Sequence, residues 1–525
     1  MKSLLAILTL SLLLFNCSDT NDDTVETQPF EYQNISISEK LKLAITSDYI
    51  KGLGYDDETY AYLNEYYNKR NHQPRWVNDS MLTDVGGRLK NVMKNNFVLG
   101  IPHHRINYGN SDNYIQDEIQ ITVSLARTIN DLETGIIDFE TKKKRPVQFT
   151  DIAKLDDFQA LEDDDIRDQF IKFGPEDSTY SVLCKGLAQL IDNYPMDTST
   201  YEIRSIKYDT LSAVEGTWKA LISKGYLAED VIDTTGMAQA LQTFQIDNGL
   251  KPDGIIGKYT SKSLNESTYN KVQRIILAMD KIRGQRTYPD KYIRINIPEY
   301  KLRFYINDSL KSAHNIVVGK YENQTPELEA KLRRIIVYPY WNVPYSISSK
   351  ELLPSIKYDS GYLAKHDYKL YRNGEEVDPI GVDWKGIRRN AFPFKIVQQP
   401  GPGNAMGIIK FDFYNKHSVY FHDTPSKGLF SADVRAFSHG CMRTQFPVAL
   451  AKEIIKRDKI GKKRNDIIVD SLDNMLGRAE HQQIRLVDPI PIYVDYVTVV
   501  REKERMVVYL DIYGRDKEYI QIMHE

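Results

Sequence analysis

Six short runs between residues 292 and 421 point to a sheet. The stretches 292–297, 301–306, 314–318, 334–338, 408–413 and 418–421 are rich in β-branched and aromatic residues with strand spacing. The pattern before them is helical. Apolar residues at helix spacing fill 60–67, 86–93 and 119–132, and Val272, Ile275, Ile276, Met279 and Ile282 mark one stripe of an amphipathic helix over 270–284. A single helix at 448–457 follows the six runs, and strand patterns return at 490–500 and 506–510. At 525 residues the chain is too long for one ordinary domain. The expected architecture is multidomain α+β: a mostly helical scaffold over 34–205, a small three-helix module over 206–268, a connecting helix over 269–290, a mainly β domain over 291–470 and a C-terminal β extension over 471–525. Residues 352–400 interrupt the strand series with a polar insertion rich in Lys, Tyr and Gly, read as a lid.

The first residues read as an address. Lys2 gives a positive start, and residues 4–15 are apolar but too few to span a bilayer. Asn16 and Cys17 follow, then a polar, acidic tether over 18–33. This resembles a lipoprotein signal peptide, in which Cys17 becomes the lipidated first residue, although Asn16 stands where a small residue is usual. The resemblance implies a lipoprotein of the cell envelope, facing the periplasm and anchored in the outer membrane of a Gram-negative bacterium. A net charge of −3 without a broad basic stripe argues against nucleic acid as a partner. The densest basic run, 142–145, reads as a solvated loop. The adjacent His103 and His104 lack a second ligand cluster, so no metal site is expected.

Each of the three cysteines has its own reading. Cys17 would carry lipid, and Cys184 sits in a helical apolar pattern as a small buried hydrophobe. Cys441 is either a reactive thiol or a disulfide partner of Cys184. Its surroundings favour reactivity. His422 ends an apolar run, and Ser438, His439, Gly440 and Cys441 form a turn followed by Met442 and Arg443. A thiol serves catalysis when a neighbour takes its proton, and His422 is the candidate base. Gly440 permits a tight turn, and the amides of Gly440 and Cys441 are candidate oxyanion donors. A backbone carbonyl or Asp423 is expected to orient His422. Arg443 either grips a substrate carboxylate or ties the loop to a neighbouring acid, and His439 is read as a supporting donor.

The order His, spacer, Ser-His-Gly-Cys, apolar residue, Arg resembles the signature of YkuD-type L,D-transpeptidases, in particular the large Gram-negative group with a scaffold domain. The resemblance implies that Cys441 is the nucleophile and His422 its base, with Ser438, His439, Gly440 and Arg443 at the remaining motif positions. Family segments framing the cleft match Tyr340 and Trp341 in 338–344 and Asn404 in 399–404; Arg435, at the head of the motif loop, is a further candidate for substrate binding. The implied reaction is a two-step acyl transfer on peptidoglycan tetrapeptide stems: a cysteine thioester forms with loss of D-alanine, and an amine of a second stem resolves it as a 3→3 cross-link. No cofactor, metal or ATP is needed, and carbapenem-type β-lactams are implied inhibitors. With water as acceptor the same chemistry would make an L,D-carboxypeptidase. Cysteine peptidases of the wall-hydrolase kind place Cys before His, the reverse of this chain. A non-catalytic wall-binding lipoprotein would more readily show a replaced Cys441 or His422. Within 206–268, the Asp253-to-Gly257 turn, with Thr260 expected to cap a third helix, resembles a peptidoglycan-binding module. The competing reading is a packing spacer.

Overall fold

The structure is a computed structural model that describes residues 35–525 apart from 79–80, 95–98, 103–104, 106–112, 159–164, 194–197, 205, 229–233, 285–286 and 460–461. The expectations at Cys17, the tether, His103 and His104 lie outside the described residues. The chain divides into two compact units, Met1–Pro74 and Arg75–Glu525. The described part of the first unit is helical. Its helix Ile37–Ala44 opens with a reciprocal capping box between Ser36 and Glu39, and Asp57–Asn68 starts from an Asp56 cap.

In the second unit, helices Asp84–Lys94, Tyr114–Thr134 and Ser178–Asn193 pack by their apolar faces. The helix Thr268–Arg283 ties these to the rest, and its burial corrects the expectation of a single apolar stripe. Polar residues are buried with the apolar ones: Asp280 accepts from the amides of Ile136 and Ile137, Arg283 donates to the carbonyls of Leu99 and Gly100, and Arg274 pairs with Glu266 and Asp516. Buried charges persist only when paired in this way.

Residues 210–264 form a small module of three helices, Thr210–Ser223, Thr234–Asp247 and Lys258–Leu264, around Leu221, Leu241, Phe244 and Ile256. The Gln245 side chain organises its turn by donating to Asp253, the Ile255 carbonyl and Thr260 while accepting from the Gly254 amide. Thr260 therefore does not cap the third helix. Gly257 occupies the cap position, and Thr260 is buried one turn in.

The nine strands of the main sheet are β1 Lys291–Asn296, β2 Lys301–Ile306, β3 Ser309–Gly319, β4 Leu328–Val337, β5 Ile409–Phe413, β6 Phe421–His422, β7 Ala436–Ser438, β8 Met442–Thr444 and β9 Gln482–Asp495. Their order is β7-β3-β8-β6-β5-β4-β9-β1-β2, and β2 also pairs with β3, so the series closes on itself. Ile293, Phe304, Ile335, Phe411, Phe421 and Met442 fill the enclosed core. Two helices, Pro447–Ile455 and Lys462–Gly477, follow the motif where one was expected. The extension adds the hairpin Val499–Glu502 with Arg505–Val508, and then an unanticipated helix, Arg515–His524.

The insertion is more than a polar loop. Strands Trp341–Asn342, Lys395–Gln398, Tyr368–Arg372 and Glu375–Val377 form an antiparallel sheet in that order. Leu352, Leu353, Ile356, Leu363, Leu370, Trp384, Phe394 and Ile396 give it a core of its own. Its apolar residues are spread over separate short elements, which explains why no repeat is visible in sequence. Cutting out 358–382 would remove Leu363 and Leu370 from that core. Leu370→Ala alone is expected to destabilise the insertion by about 2–5 kcal/mol, read as faster proteolysis within 341–398 before the main sheet opens.

Candidate active site

Strand register assembles the site. β6 and β8 run parallel with Phe421 opposite Met442 and His422 opposite Arg443, and the Met442 amide donates to the Tyr420 carbonyl at 3.0 Å. Alternation then sends Phe421 and Met442 into the core and places Tyr420, His422, Cys441 and Arg443 together on the other face. Cys184 and Cys441 are both free thiols, which removes the disulfide reading.

The turn before Cys441 is closed by Ser438. Its hydroxyl accepts from the Gly440 amide at 3.2 Å and donates to the Cys441 carbonyl. The Gly440 amide is thus engaged, contrary to its expected oxyanion role, and among the described residues the Cys441 amide has no hydrogen-bond partner. Gly440 has φ +110°, a backbone state that L side chains rarely adopt. Its carbonyl accepts from Thr325 at 2.8 Å, and Tyr513 of the C-terminal extension bridges the Thr325 amide and the Gly319 carbonyl. The extension thereby props the motif turn.

His422 is buried, and its Nδ1 meets the backbone carbonyl of Asp423. That carbonyl orients the ring; the Asp423 carboxylate does not. The carboxylate binds Lys427 and accepts from the Ile408 amide at 3.0 Å. It packs so closely on Gly407 that a Cβ there would come within 2.3 Å of it. Burial, aided by the positive charge of Arg443, lowers the His422 pKa to about 4. The imidazole is therefore neutral at neutral pH, with Nδ1 donating to the Asp423 carbonyl, and the Met406 backbone is a second neighbour of the ring.

Burial pushes the Cys441 thiol above its ordinary value, opposed by the backbone and then the side chain of Tyr420 and by the charges of Lys410 and Arg443. Burial raises the Tyr420 hydroxyl pKa, and the Trp341 side chain opposes that shift. Trp341 and Cys441 are thus both neighbours of the Tyr420 hydroxyl, and Lys410 Nζ lies 4.1 Å from the Tyr420 ring centre. Tyr420 and Lys410 were not singled out from sequence because their roles depend on the β5–β6 register. Tyr420→Phe is expected to slow acylation of Cys441 by about tenfold, the scale of one hydrogen bond to a charged group, and to raise the thiol pKa in an alkylation titration.

The other candidates separate into two groups. Among the described residues Arg443 has no carboxylate within bridging distance, which leaves the substrate-carboxylate reading and removes the tie to a neighbouring acid. His439 Nε2 meets Glu351 of the insertion at 2.6 Å, a partner 88 positions away in sequence. Tyr340 is exposed and packs edge-on against His481. Asn404 is buried and spent on its own loop: it donates to the carbonyls of Pro339 and Gln399 and accepts from the Met406 amide. Arg435 donates to the carbonyls of Ile316 and Ala432 and covers the Tyr300 ring. The hydrogen bonds of Asn404 and Arg435 among the described residues are all to backbone groups. No group of three or more potential metal ligands occurs among the described residues.

Residues 290–461 match the family model described as "L,D-transpeptidase catalytic domain" (YkuD), and 211–264 the one described as "Putative peptidoglycan binding domain". A curated relative from Haemophilus influenzae, described as "Putative L,D-transpeptidase", is 35% identical over 236 residues, which cover 44% of this chain and 46% of the relative. The match thus spans about half the length of each protein. Among solved structures, an L,D-transpeptidase of Enterococcus faecium in a cysteine-to-serine form aligns at 12% identity and TM-score 0.16, covering 44% of this chain and 64% of that one. One from Xylanimonas cellulosilytica aligns at 12% identity and TM-score 0.17, covering 57% and 97%. The chain therefore carries a YkuD-type L,D-transpeptidase catalytic domain over 290–461 and a peptidoglycan-binding domain over 211–264.

Proposed function

We propose that this protein forms 3→3 cross-links between peptidoglycan stems through a thioester on Cys441. The observation that carries this reading is the shared face of Tyr420, His422, Cys441 and Arg443, with the imidazole neutral. The Cys441 sulfur attacks the carbonyl of the third residue of a donor tetrapeptide while its proton passes to His422. The Cys441 amide faces the developing oxyanion, and Arg443 supplies positive charge beside it. Collapse breaks the bond to the terminal D-alanine, whose amine leaves with the proton held on His422. An acceptor amine then attacks the thioester and gives its proton to His422, and the thiol is restored. No metal or nucleotide enters these steps.

The insertion reaches this centre through Trp341 and through Glu351 on His439, which supports a role in excluding water from the thioester. The helical module would hold the enzyme on its polymer. The apolar run over 4–15, followed by Cys17, supports a lipid-anchored, periplasm-facing protein of the outer membrane, and a thiol on one face with a neutral imidazole supports acylation by carbapenem-type β-lactams. The test is incubation of the full chain with a defined disaccharide-tetrapeptide, followed by separation of products. Cross-linked dimers with released D-alanine are expected. Tripeptide monomers alone would mean that water is the acceptor and the enzyme is an L,D-carboxypeptidase.

A further inference from the structure

The face that bears Cys441 continues across four neighbouring strands. The β6–β8 register sets Tyr420 beside Cys441, the β5–β6 register sets Asp412 beside Tyr420, and Arg334 pairs with Asp412 and with Arg485. At about 4.8 Å per strand this row runs roughly 19 Å from the thiol to Arg485. A groove of about 610 Å³ follows it, lined by Arg333, Arg334, Lys410, Asp412, Tyr420 and Arg485 among others. Four cations thus face one carboxylate. Asp412 is already shared, lying 3.3 Å from Lys410 and bonded by Arg334. Arg333 and Arg485 are exposed and have no carboxylate within bridging distance among the described residues. Such a concentration of like charge on one rigid sheet is unfavourable unless an anion completes it.

We propose that this groove binds free carboxylates of the peptide stem and so selects stems whose carboxylates are not amidated. The inference rests on the acyl-transfer reading and deepens it. A four-residue peptide spans at most about 14 Å when extended, about three strand spacings, so a stem laid along this row from the thiol reaches Arg334, beside which Arg485 is paired on the next strand. Arg guanidinium groups suit them because they bind carboxylates in a two-point grip. Arg443, beside the thiol, is separate from this set.

The test uses the full chain and synthetic disaccharide-tetrapeptides with carboxylates free or amidated, on the donor only or on the acceptor only. Amidation of the stem that occupies the groove should raise its KM by about tenfold with kcat retained, and the preference should shrink at high salt. The arm that responds names the stem. Arg333→Gln with Arg485→Gln should erase the preference, and Arg485→Lys should restore part of it. Acylation by a small carbapenem should be unchanged in these variants, which also shows that they are folded. Equal KM for free and amidated stems in both arms overturns the proposal. If the wild-type chain forms no thioester with any stem, the acyl-transfer reading has failed instead.

Discussion

Cys441→Ala is expected to lower acyl transfer by roughly 10⁴-fold or more, the scale on which removal of a nucleophile acts, while leaving the fold intact. The sulfur has no disulfide, and the loop around it is held by other atoms: Ser438 closes the turn, and Thr325 with Tyr513 fixes the Gly440 carbonyl. Loss of one half-buried thiol should therefore move stability by no more than about 1 kcal/mol. Steady-state rates beside a thermal melt check both parts. Residual activity near that of the parent would mean that the nucleophile lies elsewhere.

His422→Ala should slow acylation of Cys441 by about 100-fold or more, the usual contribution of a general base. The pH dependence sharpens this expectation. A base is competent when unprotonated, and lowering its pKa extends competence to lower pH. With His422 at about 4, acylation should hold nearly constant as pH falls from 7 and be lost only around pH 4. An ordinary imidazole would lose it near 6.5. The thiol shift acts in the opposite direction. A raised thiol pKa keeps Cys441 protonated in the resting enzyme, so alkylation by iodoacetamide should still be rising above pH 9. Together the two shifts describe a thiol and imidazole that are both neutral at rest, with the proton moving as the substrate carbonyl is attacked.

The strand runs, His422 and the turn around Cys441 were legible in sequence because their signals are local: period-two alternation and a short motif. The neighbourhood of Trp341, Tyr420 and Cys441 was not, because it arises through pairing between strands that sequence spacing does not define. Glu351 carries no local mark and becomes meaningful only when the folded insertion brings it to His439. The insertion itself reads as polar because its apolar residues lie singly in short elements, yet they meet in one core. Asn404 and Arg435 sit in loops that frame the cleft, and such residues are as often spent holding backbone carbonyls as touching ligand. Thr260 misled for a related reason: a threonine near a helix start suggests a cap, while here it serves the Gln245 network.

The most direct test is intact-mass spectrometry of the full chain mixed with a disaccharide-tetrapeptide in the absence of an acceptor, followed by peptide mapping. An adduct with the mass of the tripeptide stem, carried on the peptide containing Cys441 and released by hydroxylamine, is expected. An adduct on another residue, or D-alanine release from a protein whose Cys441 is already alkylated, would contradict acyl transfer through this thiol.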